Sequence, residues 1–554
     1  MTRLFGRAAV CVLVGVAVCG VPVWAQAQNV GCDGAVVLKD GRSGPCTELA
    51  RTIAGLLDGP AVVRDHWGIV VTEMDGSPIY SLNAVQLFQP ASNAKLFTTA
   101  AAIHLLGEDR RFTTVIEGLP GSADDATLKG DLILRGAGDA NLSGRTVPYV
   151  EPSERPKGEQ APVDALRYLR EMADAVVAAK VKHVRGDVVG DDTLFPWEPY
   201  AQDWTIDDAV WGYGAPVSAL SINDNEIKVI VSPAGVAGSP ATVAIDPAAP
   251  AYYTLNVSVT TGAKKSGSHV QMERPMGSKV LRIYGSIGLD AAPDEEDVAI
   301  EDPAEYAATA LKQMLEAQGV TVDGKARAEH RVESETASFR KQAEEPLTEM
   351  RKDAVGAASK LLTGKSTCFD ACPLRVEHTS ATVIEDIVVT NKTSQNLHAE
   401  LLLHQLGKAY GNDGSTAQGA RVVRQFLLNA GIDPDDFVFF DGSGLSGHDL
   451  VTPRATARLL QYASAQPWFA DWKSSLPVGG EDGSLMERFG KPPLKDHVFA
   501  KTGTLGEARA LSGYLDCASG RTVIFSIMVG NHLPQTSADR DVMDKIVAAI
   551  AAAN

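Results

Sequence analysis

Ser92-Asn93-Ala94-Lys95 places a hydroxyl and an amine three positions apart. On a helix, such residues face the same way within contact range. A serine hydroxyl is a poor nucleophile until a base takes its proton. A lysine serves as that base only where burial or a second cation lowers its pKa. The pair therefore predicts covalent catalysis: Ser92 is acylated, Lys95 is its base, and another cation stands nearby. Alone the spacing is a weak signal, since a capping serine followed by a solvated lysine is common on exposed helices.

Two later triplets raise its weight. Ser394-Gln395-Asn396 stands just before a helical run. Its hydroxyl can relay a proton, and its amide can hold a substrate carbonyl. Lys501-Thr502-Gly503-Thr504 ends a strand-like run. It offers the second cation, a hydroxyl for a carboxylate, and a glycine where substrate backbone can approach. Each triplet alone is more often a helix cap or a strand end. In this order, and each in the expected local structure, they form one three-part signature.

The elements that must carry these groups follow from periodicity. Leu96, Phe97, Ala100, Ala101, Ile103 and Leu106 recur at helical spacing, and Gly107 closes the run. Ser92 thus stands at a helix start, where partial positive charge and free N–H groups gather. Upstream, apolar runs between Val62 and Tyr80 flank Asp75-Gly76, a hairpin signal. After Ser394 a helix is predicted from Leu397 to about Leu406, closed by Gly407, with another over about 416–430. The C-terminal part predicts a strand ending near Lys501, strands at 510–517 and 522–530, and a helix over about 537–552. One sheet built from both chain ends results, with a middle insertion. The stretch 119–375 is rich in Gly, Pro and Asp. It carries β-like runs at Leu255–Thr261 and Val280–Ile287, and helical pieces near 163–179 and 303–318. Its polar end, about 334–375, reads as a surface excursion closed by Cys368 and Cys372.

The three triplets resemble the signature of penicillin-interacting serine enzymes. Ser92 and Ser394 lie too far apart for a β-lactamase or a simple carboxypeptidase. The gap is similar to that of class C low-molecular-mass penicillin-binding proteins, the D-alanyl-D-alanine carboxypeptidase/endopeptidase family. Gly136-Ala137-Gly138-Asp139, Gly190-Asp191-Asp192, Tyr213–Leu220, Asn223-Asp224-Asn225 and Asp441–Ser446 look like that family too. The likeness is weakest at 325–375. The resemblance implies an α/β (α+β) fold: a β-lactamase/transpeptidase-like catalytic domain of antiparallel sheet and flanking helices, with large inserted mixed domains. In chain order this implies a signal peptide at 1–27, catalytic parts at 28–118 and 376–554, and the insertion at 119–375. It implies that Ser92 is the nucleophile and Lys95 its base. Ser394 shuttles the proton to the leaving D-alanine, Asn396 holds the acyl-side amide, and Lys501 poises the network. Thr502 binds the terminal carboxylate, Gly503 lets substrate backbone approach, and the N–H groups of Ser92 and Thr504 form an oxyanion hole. An insert-domain aspartate, here Asp208 by its place after Trp204, recognises an amine on the peptide side chain. Stem peptides of peptidoglycan and β-lactam antibiotics are the implied partners, with no metal and no organic cofactor. The rivals are a related serine esterase or D-aminopeptidase, and an inactive envelope-binding protein.

Composition agrees with an exported enzyme. The 554 residues exceed one ordinary core, and 45% hydrophobic content is globular. A net charge of −18 argues against nucleic acid as a partner. Arg3 and Arg7, an apolar run from Ala8 to Val18, and Ala25-Gln26-Ala27 read as a secretory signal cut after Ala27. No later run is long enough to span a bilayer, so the mature chain is expected in a periplasm. Cys32 with Cys46, and Cys368 with Cys372, are candidate disulfides. Cys517, in an apolar strand-like run, reads as a buried small hydrophobe. His398, Glu400 and His404 lack the zinc-protease order. Ser443 lacks the full nucleophile elbow. Trp204, Trp211 and Tyr213 more often pack a core than line a groove.

Overall fold

The computed structural model describes residues 47–120, 126–155, 163–247, 252–347 and 374–554. The expected signal peptide, the pairs Cys32–Cys46 and Cys368–Cys372, and most of the 334–375 excursion lie outside them.

The central sheet is antiparallel and five-stranded. Its order is Val498–Leu505, Ala508–Asp516, Thr522–Gly530, His66–Glu73, Pro78–Leu82. Its strands thus come from both ends of the chain. The turn that joins His66–Glu73 to Pro78–Leu82 uses Gly76 at φ 84° and Asp75, whose carboxylate accepts from Ser77 N at 2.8 Å. These strands are apolar on both faces because both are covered. Trp67, Ile69, Val71, Phe525 and Ile527 pack with Ile53, Leu57, Met543 and Ile546 of the terminal helices Glu48–Leu57 and Ala538–Ala553. Val70, Tyr514, Ile524 and Met528 face the other way, onto Leu96, Phe97 and Ala100 of the helix Ala94–Leu106. That helix is buried along nearly its whole length, Lys95, Thr98 and Thr99 included, which ties it to the protein interior.

Between these halves, strands Thr113–Pro120 and Leu374–Thr379 pair antiparallel, with Thr113 opposite Thr379. They form the neck of the middle segment and reach a few residues beyond 119–375. The two neck strands belong to a seven-stranded mixed sheet, and the middle segment also carries two three-stranded sheets. Their core packs helices Arg167–Ala178 and Pro303–Ala317 through Leu169, Met172, Val176, Leu311 and Leu315.

Three local expectations are corrected. The helix after Ser394 runs from Asn396 to Tyr410, past Gly407. Gly407 is a crossing point rather than a stop: a Cβ there would lie 2.7 Å from Gly419 N on the next helix, Thr416–Asn429. The strand expected to end near Lys501 continues to Leu505, because its pairing with the next strand persists to Leu505 opposite Ala508. The first part of the 334–375 excursion forms a short helix, Phe339–Glu344. It docks on the body: Phe339 stacks on Phe440 at 4.8 Å, and Arg421 donates to Glu345 O at 2.7 Å and Pro346 O at 2.9 Å. Among the described residues, no helix is long and apolar enough to cross a membrane.

Gly407→Ala tests the helix crossing. Propensity alone would stabilise the helix by up to about 1 kcal/mol. The clash instead predicts a loss of about 1–3 kcal/mol, as for an overpacked core, read as a lower melting temperature.

Candidate active site

Ser92 lies in a single turn, Ala91–Asn93, that leads into the helix Ala94–Leu106. Ala91 has φ 46°, an uncommon conformation for a residue with a Cβ. Two glycines make room for it. A Cβ on Gly444 would lie 1.9 Å from Ala91 O, and one on Gly503 would lie 2.6 Å from Pro90 O and 3.1 Å from Ser92 N. The strand Val498–Leu505 therefore runs hard against the backbone of Ser92. Asn93, the spacer in the first motif, donates from Nδ2 to Lys501 O at 2.9 Å and ties turn to strand.

The structure brings the three motifs together around two lysines. Lys95 Nζ donates to Ser92 Oγ at 3.0 Å, Asn396 Oδ1 at 2.6 Å and Ser443 O at 2.8 Å. Lys501 Nζ donates to Ser394 Oγ at 2.8 Å and Thr502 O at 3.0 Å. Ser394 holds φ 61°, a left-handed turn just before the helix. Asn396 completes the link by donating from Nδ2 to Tyr213 O at 2.8 Å. Thr502 Oγ1 and Ser484 Oγ are 2.7 Å apart, so two hydroxyls stand side by side at the strand.

Both lysines are fully buried. Burial lowers the Lys95 amine to about 8, while Asp441, Glu400 and Asp449 pull it the other way. Lys501 is held well below its ordinary value, first by burial and then by the Lys95 charge. Of the two expected causes, burial is the larger at Lys95, and the two neighbouring amines disfavour each other's charge. A partly neutral Lys95 presents a lone pair 3.0 Å from the Ser92 hydroxyl, the geometry of a base and its nucleophile.

Sequence reasoning missed the acids beneath Lys95. Glu400 accepts from Gly442 N at 3.0 Å and Ser443 N at 2.8 Å, and burial pushes its carboxyl up to about 8. Asp441 accepts from Gly444 N and Ser446 N, each at 2.7 Å. Burial and Asp441 hold the Asp449 carboxyl well above the usual range. Ser443 thus serves through its backbone carbonyl. The available signal was the Asp441–Ser446 run, rich in small residues that let backbone close on a buried group.

A cavity of about 560 Å³ opens beside Ser394 and Asn396. Its walls include Trp211, Tyr213, Arg145, Glu226, Glu296 and Asp297. Trp211 and Tyr213, expected to pack a core, line this groove, and Tyr213 is 51% exposed. Burial pushes the Glu226 carboxyl up to about 8, so the charge of this wall comes from Glu296 and Asp297 against Arg145. Asp208 is not among the lining residues. Its carboxylate accepts from Thr205 N at 2.8 Å and Thr205 Oγ1 at 2.9 Å, and it lies beside the Tyr213 phenol. Thr504 is exposed on the edge strand of the sheet. Among the described residues, no group of three His, Cys, Asp or Glu side chains is placed to hold a metal ion.

The model of the D-Ala-D-Ala carboxypeptidase 3 (S13) family matches residues 49–359 and 348–553. A D-alanyl-D-alanine carboxypeptidase of Actinomadura sp. (strain R39) is 33% identical over 509 residues, covering 89% of this chain and 83% of the relative. The crystal structure of penicillin binding protein 4 from Haemophilus influenzae superposes with a TM-score of 0.70 at 20% identity, covering 90% of this chain and 98% of that one. A second structure of it, complexed with a β-lactam, gives 0.64. The chain belongs to the D-Ala-D-Ala carboxypeptidase 3 (S13) family, a serine hydrolase on the transpeptidase-like fold.

Lysine side-chain NMR tests the electrostatics. Two resonances, removed in turn by Lys95→Arg and Lys501→Arg, are expected to titrate below the rest, with that of Lys95 at about 8. A Lys95 that titrates with the exposed lysines would contradict its burial.

Proposed function

We propose that Ser92 is the residue acylated when this enzyme removes the terminal D-alanine from peptidoglycan stem peptides. The observation that carries this is the Lys95 amine, buried, lowered to about 8 and 3.0 Å from Ser92 Oγ. Neutral Lys95 takes the Ser92 proton as Oγ attacks the carbonyl of the penultimate D-alanine. The oxyanion is met by the N–H groups of Ser92 and Thr504, a contribution of several kcal/mol in such sites. The proton passes from Lys95 to Ser394 and on to the departing amine, so the C–N bond breaks as free D-alanine leaves. Water then attacks the ester, returning its proton by the same route and freeing Ser92.

Lys501 poises this traffic electrostatically through its hydrogen bond to Ser394 Oγ. Thr502, with Ser484 beside it, receives the terminal carboxylate, and Gly503 leaves the strand open to substrate backbone. Asn396 holds the amide on the acyl side. Asp208 assists recognition of a free amine on the stem peptide, next to the acidic cavity wall. A cross-linked stem carries the same D-amino-acid bond, so endopeptidase action uses the same groups. A β-lactam enters as a substrate mimic whose ester leaves slowly. The basic, apolar and small-residue pattern of residues 1–27 supports export to a periplasm.

Fluorescent penicillin provides the test. One covalent label is expected, absent in Ser92→Ala, and its rate of formation rises with pH as Lys95 loses its proton and levels off above about 8. An unlabelled wild type would overturn the proposal. Asp208→Asn is expected to raise KM several-fold for stem peptides with a free side-chain amine. It should leave their amine-acetylated counterparts unchanged, and equal effects on both would remove Asp208 from recognition.

A further inference from the structure

Gln395 stands between Ser394 and Asn396, and its side chain points away from both lysines. Its Oε1 caps the following helix by accepting from Leu397 N at 3.0 Å. Its Nε2 donates to Asp224 Oδ2 at 3.2 Å, across the boundary with the inserted segment. Asp224 is 4% exposed and well held. Arg145 donates to the same oxygen from Nε at 2.8 Å, and His398 Nε2 lies 3.2 Å from the other. His398 is itself fully buried and sits in the first turn after Asn396, with Nδ1 2.6 Å from Asp386 Oδ1. A ring that bridges two carboxylates in this way donates from both nitrogens and carries a charge. The two acids hold it protonated, up to about 9.

The carrier of Asp224 is strained. Asn223, Asp224 and Asn225 have φ of 48°, 55° and 56°, values that non-glycine residues keep only where surroundings impose them. Asn225 imposes them, accepting from Ile222 N at 2.9 Å and donating to Pro216 O at 2.9 Å. The insertion therefore grips the second motif and the helix turn after it at three points: Tyr213 O on Asn396, and Asp224 on Gln395 and His398.

We infer that Asp224 of the inserted segment is a positioning residue, which through Gln395 and His398 holds the Ser394 hydroxyl on Lys501 and the Asn396 amide on Lys95. This rests on the acyl-serine reading above. Among the described residues, this clamp, the helix cap and the Asn396 bond to Tyr213 O tether the far side of a left-handed Ser394. Released, its hydroxyl can swing off Lys501 without unfolding anything.

The experiment measures the acylation rate of the full chain by fluorescent penicillin, alongside its melting temperature. Gln395→Ser keeps a hydroxyl to cap Leu397 N but cannot reach Asp224. It is expected to lose about tenfold to a hundredfold in rate, the scale of a small misplacement of reacting groups, with melting shifted by no more than a few degrees. Asp224→Ala is expected to lose a similar factor or more, because it also frees His398, and Asp224→Asn, whose single amide oxygen cannot accept from both Gln395 and His398, to lose part of the rate. Because Asp224→Ala already removes the contact that Gln395→Ser removes, the double variant should be no slower than the slower single. Gln395→Ser at the wild-type rate, or losses that multiply in the double variant, would overturn the clamp. Should Asp224→Ala fail to fold, Gln395→Ser decides alone. An unlabelled wild type overturns both this and the acyl-serine reading, whereas a labelled wild type with Gln395→Ser unimpaired overturns the clamp only.

Discussion

Two lysine side chains are buried within one polar cluster, and the rest of the site answers to that cost. Removing an ammonium from water costs several kcal/mol even after the protein relaxes. Lys95 recovers part of it from three acceptors: Ser92 Oγ, Asn396 Oδ1 and Ser443 O. Each comes from a different element. Lys501 does the same with Ser394 Oγ and Thr502 O. What remains unrecovered appears as lowered basicity, which is the property a lysine base needs. Stability and chemistry are thus opposed here: a better-solvated Lys95 would be a poorer base.

The carboxyls beneath Lys95 set how far that opposition goes. Glu400, Asp441 and Asp449 all raise the Lys95 value that burial lowers. They are not free to do so fully, because burial raises Glu400 and Asp449 in turn. Acids that crowd one another share protons rather than all ionise. Glu400 and Asp441 also hold the backbone of Gly442 to Ser446 by accepting its N–H groups. They therefore fix the Ser443 carbonyl on Lys95 as well as its field. Gly444 and Gly503 complete the arrangement by letting that loop and the edge strand close on Pro90 and Ala91.

The inserted segment is part of this structure rather than an appendage to it. It supplies Tyr213 O to Asn396 and Asp224 to the far side of the same motif. Its aromatic and acidic residues form the cavity wall next to Ser394. A catalytic sheet closed only by its own helices would leave Ser394-Gln395-Asn396 anchored on one side.

Much of this was legible in the sequence. Helix and strand placement followed from spacing, since apolar period and turn chemistry are local properties. The three motifs announced themselves because the chemistry needs particular residue types in a particular order. What the sequence by itself determined, then, was the parts: Ser92 at a helix start, Ser394 before a helix, Lys501 on a strand, and a sheet with strands from both ends. Only the tertiary structure decided how they act. Gly407 reads as a stop until another helix is seen crossing it. Ser443 reads as a failed nucleophile until its carbonyl is seen on Lys95, and Tyr213 as core until it is seen in a cavity. In each case the deciding contact lies between segments remote in the chain, and burial, desolvation and close approach exist only once those segments have met.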